Sequence, residues 1–284
     1  MNLIAFSTLA CPNWTADDVI ERAARYGYDA LEWRGGPRGH IRPDLTPARL
    51  AELRLLQSQA GLSALAVTAY TDFVAESAET RDASLAALRR HCDMAAELGA
   101  AYVRAFLGVL PAGVQAASVY QRAAESLEAA ARYAQSVGVT VALEPHDDFA
   151  RPASVAPLLE RVQHPGLGVI WDIGNAYSEG QTLTEGFESV RQRLSYVQVK
   201  DGRGQGHDWR LTSVGAGDVP LSAAIRLLLA SGYAGAFSVE WEWAWHPELD
   251  PPEAALPAAL TAVRNWLVAA LPPESVLKRK QASV

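Results

Sequence analysis

The sequence predicts a single (β/α)8 barrel, and three observations carry that prediction. Strand-type and helix-type segments alternate from end to end, they do so eight times, and no linker or shift in composition interrupts them. Strictly alternating units imply a parallel sheet, and eight of them close into a barrel within about 250 residues. The chain has 284 residues, 49% of them hydrophobic and 20% charged, enough for a large core. A doubly wound open sheet shares the same periodicity, because periodicity does not register closure. The barrel domain is placed at residues 1–271, and the polar tail 272–284, with its basic KRK cluster, is expected to be loosely ordered.

The elements follow in order. Residues 3–8 form the first strand, and 15–27 a helix whose Thr15 and Asp18 make a capping pair. Residues 29–34 form the second strand. A helix starts near Thr46, with Pro47 in its first turn and Gly61 past its end. Residues 62–70 are the third strand, 80–98 a long helix stopped by Gly99, 101–106 the fourth strand, and 116–137 a helix stopped by Gly138. The second half repeats the rhythm: strands at 139–146, 167–175, 194–201 and 235–243, helices at 153–162, 184–193, 221–231 and 253–270.

The bulk numbers exclude several classes. A net charge of −7 argues against a nucleic-acid partner. No apolar run approaches the roughly 20 residues of a membrane span, and the first residues lack the basic region of a signal peptide. Cys11 and Cys92 form no ligand pattern, and Cys92 reads as a small buried hydrophobe. A reducing cytoplasm is the expected location.

Four strand-type runs each carry one oxygen ligand near the C-terminal end: VTVALEPH with Glu144, GVIWDIGN with Asp172, SYVQVKD with Gln198 and AFSVEWEW with Glu240. In a closed parallel barrel these side chains converge at the rim where barrel enzymes place their catalytic groups. Residues two apart share a strand face, so Glu144 brings His146 inward, Asp172 brings Gly174, Gln198 brings Lys200, and Glu240 brings Glu242. Packing this many carboxylates together without a cation would force several to protonate. All four donors are oxygens, which suits Mn2+ first and Mg2+ next, with Zn2+ and Co2+ as further candidates. An octahedral ion would keep two positions for adjacent oxygens of a hydroxy-ketone and stabilise the enediolate formed on proton loss.

The stretches FSTLACPNW, GYDALEWR, LEPHDD, WDIGNAY, SYVQVKDGR, GAGDVP and GYAGAFSVEWEW together resemble the xylose isomerase-like TIM-barrel superfamily, in its sugar phosphate isomerase/epimerase branch. The resemblance spans roughly residues 3–270. It implies a metal held by Glu144, Asp172, Gln198 and Glu240, with Glu144 and Glu240 also moving protons. Gln198 stands where most relatives have His, and Asn175 where they commonly have another. Glutamine at the first position is similar to the dehydratases acting on inosose or 3-dehydroshikimate. The endonuclease IV branch needs extra histidines, which Tyr70, Asn175 and Gln198 replace. Dimers and tetramers are common among similar barrels, so the resemblance leaves a homo-oligomer open.

These readings set the expectations. The expected function is a divalent-metal-dependent isomerase or epimerase acting on a small polyhydroxylated keto substrate. A metal-dependent dehydratase is the alternative, and a non-catalytic sugar binder the third. Catalytic candidates are Glu144, Glu240, His146 and Lys200; Lys200 serves equally well as a counter-charge to the acids. Arg34, Tyr70 and Arg104, at the ends of strands two to four, and Asn175 are candidates to line the pocket. Arg203, His207 and Arg210, in the loop after strand seven, are candidates to grip an anionic substrate group. Trp14 and Phe73 are loop aromatics able to cover a sugar ring. Gly215 and Gly217 suggest backbone phosphate binding only weakly, since Asp218–Pro220 already reads as a helix entry.

Overall fold

A computed structural model describes residues 2–271; the tail expectation for 272–284 lies outside them. Eight parallel strands close into a barrel: β1 (Ile4–Ser7), β2 (Ala30–Arg34), β3 (Ser63–Thr68), β4 (Tyr102–Ala105), β5 (Thr140–Leu143), β6 (Leu167–Asp172), β7 (Leu194–Val199) and β10 (Phe237–Val239). The ring runs β1-β10-β7-β6-β5-β4-β3-β2, and β1 pairs with β10 through Ala5 opposite Ser238. Closure removes the open-sheet alternative.

Helices α1 (Ala16–Tyr26), α2 (Pro47–Gln59), α3 (Ala78–Leu98), α4 (Ala116–Ser136), α5 (Pro152–Arg161), α7 (Leu183–Val190), α8 (Leu221–Ala230) and α9 (Pro252–Ala269) surround it. Their boundaries follow local chemistry. Thr15 accepts from the Asp18 amide at 3.1 Å while Asp18 accepts from the Thr15 amide at 3.0 Å, so α1 opens with a capping box. It ends on Gly27 at φ 92°, a conformation costly for any residue with a Cβ.

The interior is layered by the two-residue period of the strands. Ala5, Ala30, Ala66, Tyr102, Ala142, Ile170, Tyr196 and Ala236 fill an apolar lower layer, small side chains leaving room for the Tyr196 ring. Two residues further along every strand the layer turns polar: Ser7, Glu32, Thr68, Arg104, Glu144, Asp172, Gln198 and Ser238, all buried. Lys200 and Glu240 come next on their chains, at the mouth. The other face of each strand, with Phe6, Trp33, Trp171 and Phe237, packs against the helices.

Three expectations require correction. Strand six stops at Asp172 rather than running to Asn175, because the Asp172 carboxylate caps a short helix α6 (Ile173–Ser178) by accepting from the Asn175 amide at 2.9 Å. Gly174 and Asn175 therefore leave the strand alternation. Strands five and eight end at Leu143 and Val239, one residue before their glutamates. The Gly-rich stretch after β7 is an antiparallel hairpin, β8 (Asp201–Arg203) with β9 (Arg210–Thr212).

Candidate active site

Glu144, Asp172 and Glu240 meet at the barrel mouth, each offering an oxygen within 4.8 Å of the others. All three are at most 3% exposed. Two cations lie among them. Arg104 reaches Glu144 Oε2 at 2.9 Å and Glu240 Oε1 at 3.3 Å. Lys200 Nζ sits 3.0 Å from Asp172 Oδ2, 2.8 Å from Glu240 Oε2 and 2.6 Å from Glu242 Oε1. These contacts make Lys200 a counter-charge to the carboxylates.

Gln198 completes the group. Its Nε2 donates to Glu32 Oε1 at 3.1 Å and to Glu240 Oε1 at 3.3 Å. Its Oε1 has no hydrogen-bond partner, and neither has Glu144 Oε1, although both are buried. Buried acceptors without donors are costly, and a divalent cation is the partner that three carboxylates and an amide oxygen suit. The residues present fit such an ion.

The same burial sets the electrostatics. It raises the Glu144 and Asp172 carboxyls above their ordinary range, against the opposing pull of Arg104 on the first and Lys200 on the second. Burial pushes Glu240 the same way, but Lys200 and Arg104 together outweigh it and hold this carboxyl below its usual range. Desolvation would lower the Lys200 ammonium; Asp172 and Glu240 overcome that and keep it charged.

A cavity of about 450 Å3 opens above these groups, bounded by Tyr70, Arg104, Phe106, His146, Glu240 and Trp245 among others. His146 stacks on Phe106 with ring centroids 4.5 Å apart, and its Nδ1 lies 3.0 Å from Asp147 Oδ2. Desolvation would lower the imidazole pKa, but the Asp147 contact and the Glu144 charge raise it overall. Asp147 holds φ at 51°, the lone positive φ outside glycine among the described residues, at the cavity edge. Arg34, expected to line the pocket, is not among the residues that bound it; it sits behind them, donating to the Tyr70 hydroxyl at 3.3 Å and lying over the Trp245 ring at 4.5 Å.

The remaining expected groups lie elsewhere. Arg203 is tied to the Ala216 carbonyl and Arg210 to those of His207 and Trp209, while His207 is exposed; none of the three bounds the cavity. The backbone amides of this loop are engaged as well. Asp201 already fills the ring of amides, accepting from Gly202, Gly215, Gly217 and Val219 at 2.8–3.3 Å. The Asn175 Nδ2 is buried without a partner on α6, outside the cavity wall. Phe73 is fully buried, and Trp14 is held by Glu253 and Arg22. Phe106 and Trp245 occupy the place expected for those aromatics. Sequence reasoning also missed Glu32, fully buried in the same layer as Glu144 and Asp172; a lone acid in the apolar run ALEWR was the available signal.

The family description "Xylose isomerase-like TIM barrel" matches residues 20–266. The chain belongs to that family. Within it, the chain is 25% identical over 238 residues to a fructoselysine 3-epimerase of Escherichia coli O157:H7, covering 79% of this chain and 84% of that one. Among solved structures it resembles a D-psicose 3-epimerase from Clostridium cellulolyticum H10 with D-tagatose (17% identity, TM-score 0.78, 93% and 99% of the two chains). It also resembles an IOLI protein with a zinc atom (18% identity, TM-score 0.79, 95% and 99%). At these identities the structures speak to the barrel alone. The family's sugar epimerases and isomerases are enzymes, and no helix among the described residues is long and apolar enough to cross a membrane.

Proposed function

We propose that this protein is a divalent-metal-dependent epimerase of an unphosphorylated keto sugar. The observation that carries the reading is the convergence of Glu144, Asp172 and Glu240 on one point, with the buried and partnerless Gln198 Oε1 on the neighbouring side chain. Those four residues would hold the cation, with Mn2+ preferred, Mg2+ next and Zn2+ or Co2+ as alternatives, and it would stabilise negative charge developing on the sugar's keto oxygen. The 3-epimerase names of several relatives support epimerisation over aldose–ketose isomerisation.

The chain's own residues divide the proton work. Epimerisation takes a proton from one face of a carbon and returns one to the other, which needs a base and an acid. Lys200 and Arg104 pair with Glu240 and fit it as base, and Glu144, on the other side of Arg104, fits as the acid. His146, charged more readily than a free imidazole, is placed to hydrogen-bond a substrate hydroxyl at the cavity wall. Phe106 and Trp245 offer apolar faces to the sugar ring. The sugars in the relatives' names, fructoselysine and D-psicose, favour a substrate without phosphate.

The test is proton exchange in D2O with D-fructose or D-psicose and Mn2+, followed by NMR. Deuterium should enter at C3 as the epimer appears, and Glu144→Gln or Glu240→Gln should slow both by about 10²–10⁴-fold. Chelation should abolish exchange, and Mn2+ should restore it better than Mg2+. Growth of a conjugated ultraviolet chromophore with inosose or 3-dehydroshikimate would instead establish the dehydratase. Ligand-induced thermal stabilisation without turnover on any ketose would establish a binder.

A further inference from the structure

Glu32 lies outside the cavity wall, yet it is wholly buried and takes part in more of the barrel's internal polar contacts than its position on β2 requires. Three side chains from strands two and three places round the barrel donate to it. Tyr196 and Gln198 of β7 reach Oε1, both at 3.1 Å, and Ser238 of β10 reaches Oε2 at 2.6 Å. Tyr196 belongs to the layer beneath, Gln198 and Ser238 to its own layer, so Glu32 is anchored on two levels.

The consequence falls on Gln198, whose amide has two faces of similar shape and opposite polarity. Its nitrogen stands between two carboxylates, Glu32 and Glu240. Rotating the amide by half a turn would set its carbonyl oxygen against both, exchanging two hydrogen bonds for two contacts between acceptors. Glu240 also accepts from Lys200 and Arg104, and Glu32 from Tyr196 and Ser238, so both carboxyl groups face the amide as acceptors. The observed rotamer leaves Gln198 Oε1 buried and unpartnered.

We infer that Glu32 is a positioning residue, which fixes the Gln198 amide so that its carbonyl oxygen serves as the fourth metal ligand. Glutamine needs such a residue because either end of an amide can face the ion, and only one can bind it. The inference rests on the proposed cation site. Partners of this kind, one step behind a ligand, typically change metal affinity by about 10–100-fold when removed.

The experiment is Mn2+ titration by calorimetry, with folding followed by circular dichroism. Glu32→Leu should fold and bind Mn2+ about 10–100-fold more weakly. Glu32→Gln keeps a carbonyl oxygen for the Gln198 amide and should stay within about threefold of the parent, a difference of less than 1 kcal/mol. In a Gln198→Ala background, Glu32→Leu should have no further effect, because its influence runs through the amide. Should Glu32→Leu not fold, Glu32→Asp replaces it in the same cycle: it keeps the charge but withdraws the acceptor by one methylene. Unchanged affinity, equal weakening with and without Gln198, or a loss in Glu32→Gln as large as in Glu32→Leu would each overturn the inference. Failure of the parent protein to bind Mn2+ at all would instead overturn the cation site on which it rests.

Discussion

Lys200 shows how one side chain sets the terms for a buried cluster. Its ammonium is 2% exposed and contacts Asp172, Glu240 and Glu242. Ion pairs at this depth add little net stability, but removing one partner strands the other, at a cost of about 3–5 kcal/mol. Lys200→Met should therefore lower the unfolding free energy of the metal-free protein by about that amount in urea denaturation. Added Mn2+ should return much of the loss, because its charge replaces the ammonium's among the same oxygens. An unchanged midpoint in urea would mean that Lys200 is not the counter-ion. Arg104 plays the matching part on the other side by bridging Glu144 and Glu240, the proposed acid and base, within one site.

The loop after β7 makes the corresponding argument for an element. Asp201 begins the β8–β9 hairpin, and its carboxylate receives amides from both the hairpin and the Gly215–Val219 turn, fastening one to the other. Gly217 approaches so closely that a Cβ there would collide with that carboxylate. Asp201→Ala leaves four amides without an acceptor, at about 1–3 kcal/mol for each that stays buried. A loss of at least about 2 kcal/mol is expected, with faster amide exchange across residues 213–219; unaltered exchange there would show the turn to be held by other means. Elements such as α1 were legible in the chain because Thr15, Asp18 and Gly27 act on their immediate neighbours. The inward acids were legible because the strand period is two. The limit of that reading is visible at Asp172, whose cap starts α6 and ends the alternation through a side-chain bond that periodicity does not encode. Arg203 and Arg210 looked like an anion grip for the same reason: the carbonyl partner of Arg203 lies in the turn after the hairpin and those of Arg210 in the hairpin's own loop, contacts that spacing does not encode.

Closure of the barrel turns these local features into one property of the molecule, a cluster of acids kept from water in the absence of enough compensating charge. Burial pushes the Glu144 and Asp172 carboxyls each up to about 7, whereas in the unfolded chain they titrate near 4. Between those values the unfolded chain has released protons that the folded protein retains, so raising the pH favours unfolding. This contribution to stability is complete below about pH 4 and is lost as the pH climbs through about 7. Glu240 acts with the opposite sign, but its lowered carboxyl titrates below that window. The metal-free protein should therefore lose thermal stability from pH 5 to 8, by up to about 1.4 kcal/mol per pH unit for each proton. A divalent ion reverses the preference because it binds the ionised oxygens and displaces their protons. Saturating Mn2+ should flatten or invert the slope of Tm against pH. Calorimetry in buffers of different ionisation heat should record proton release on Mn2+ binding at pH 6, and less at pH 8. A slope insensitive to Mn2+, together with no proton release at pH 6, would separate the acids from the ion and return the cluster to a purely internal network of ion pairs.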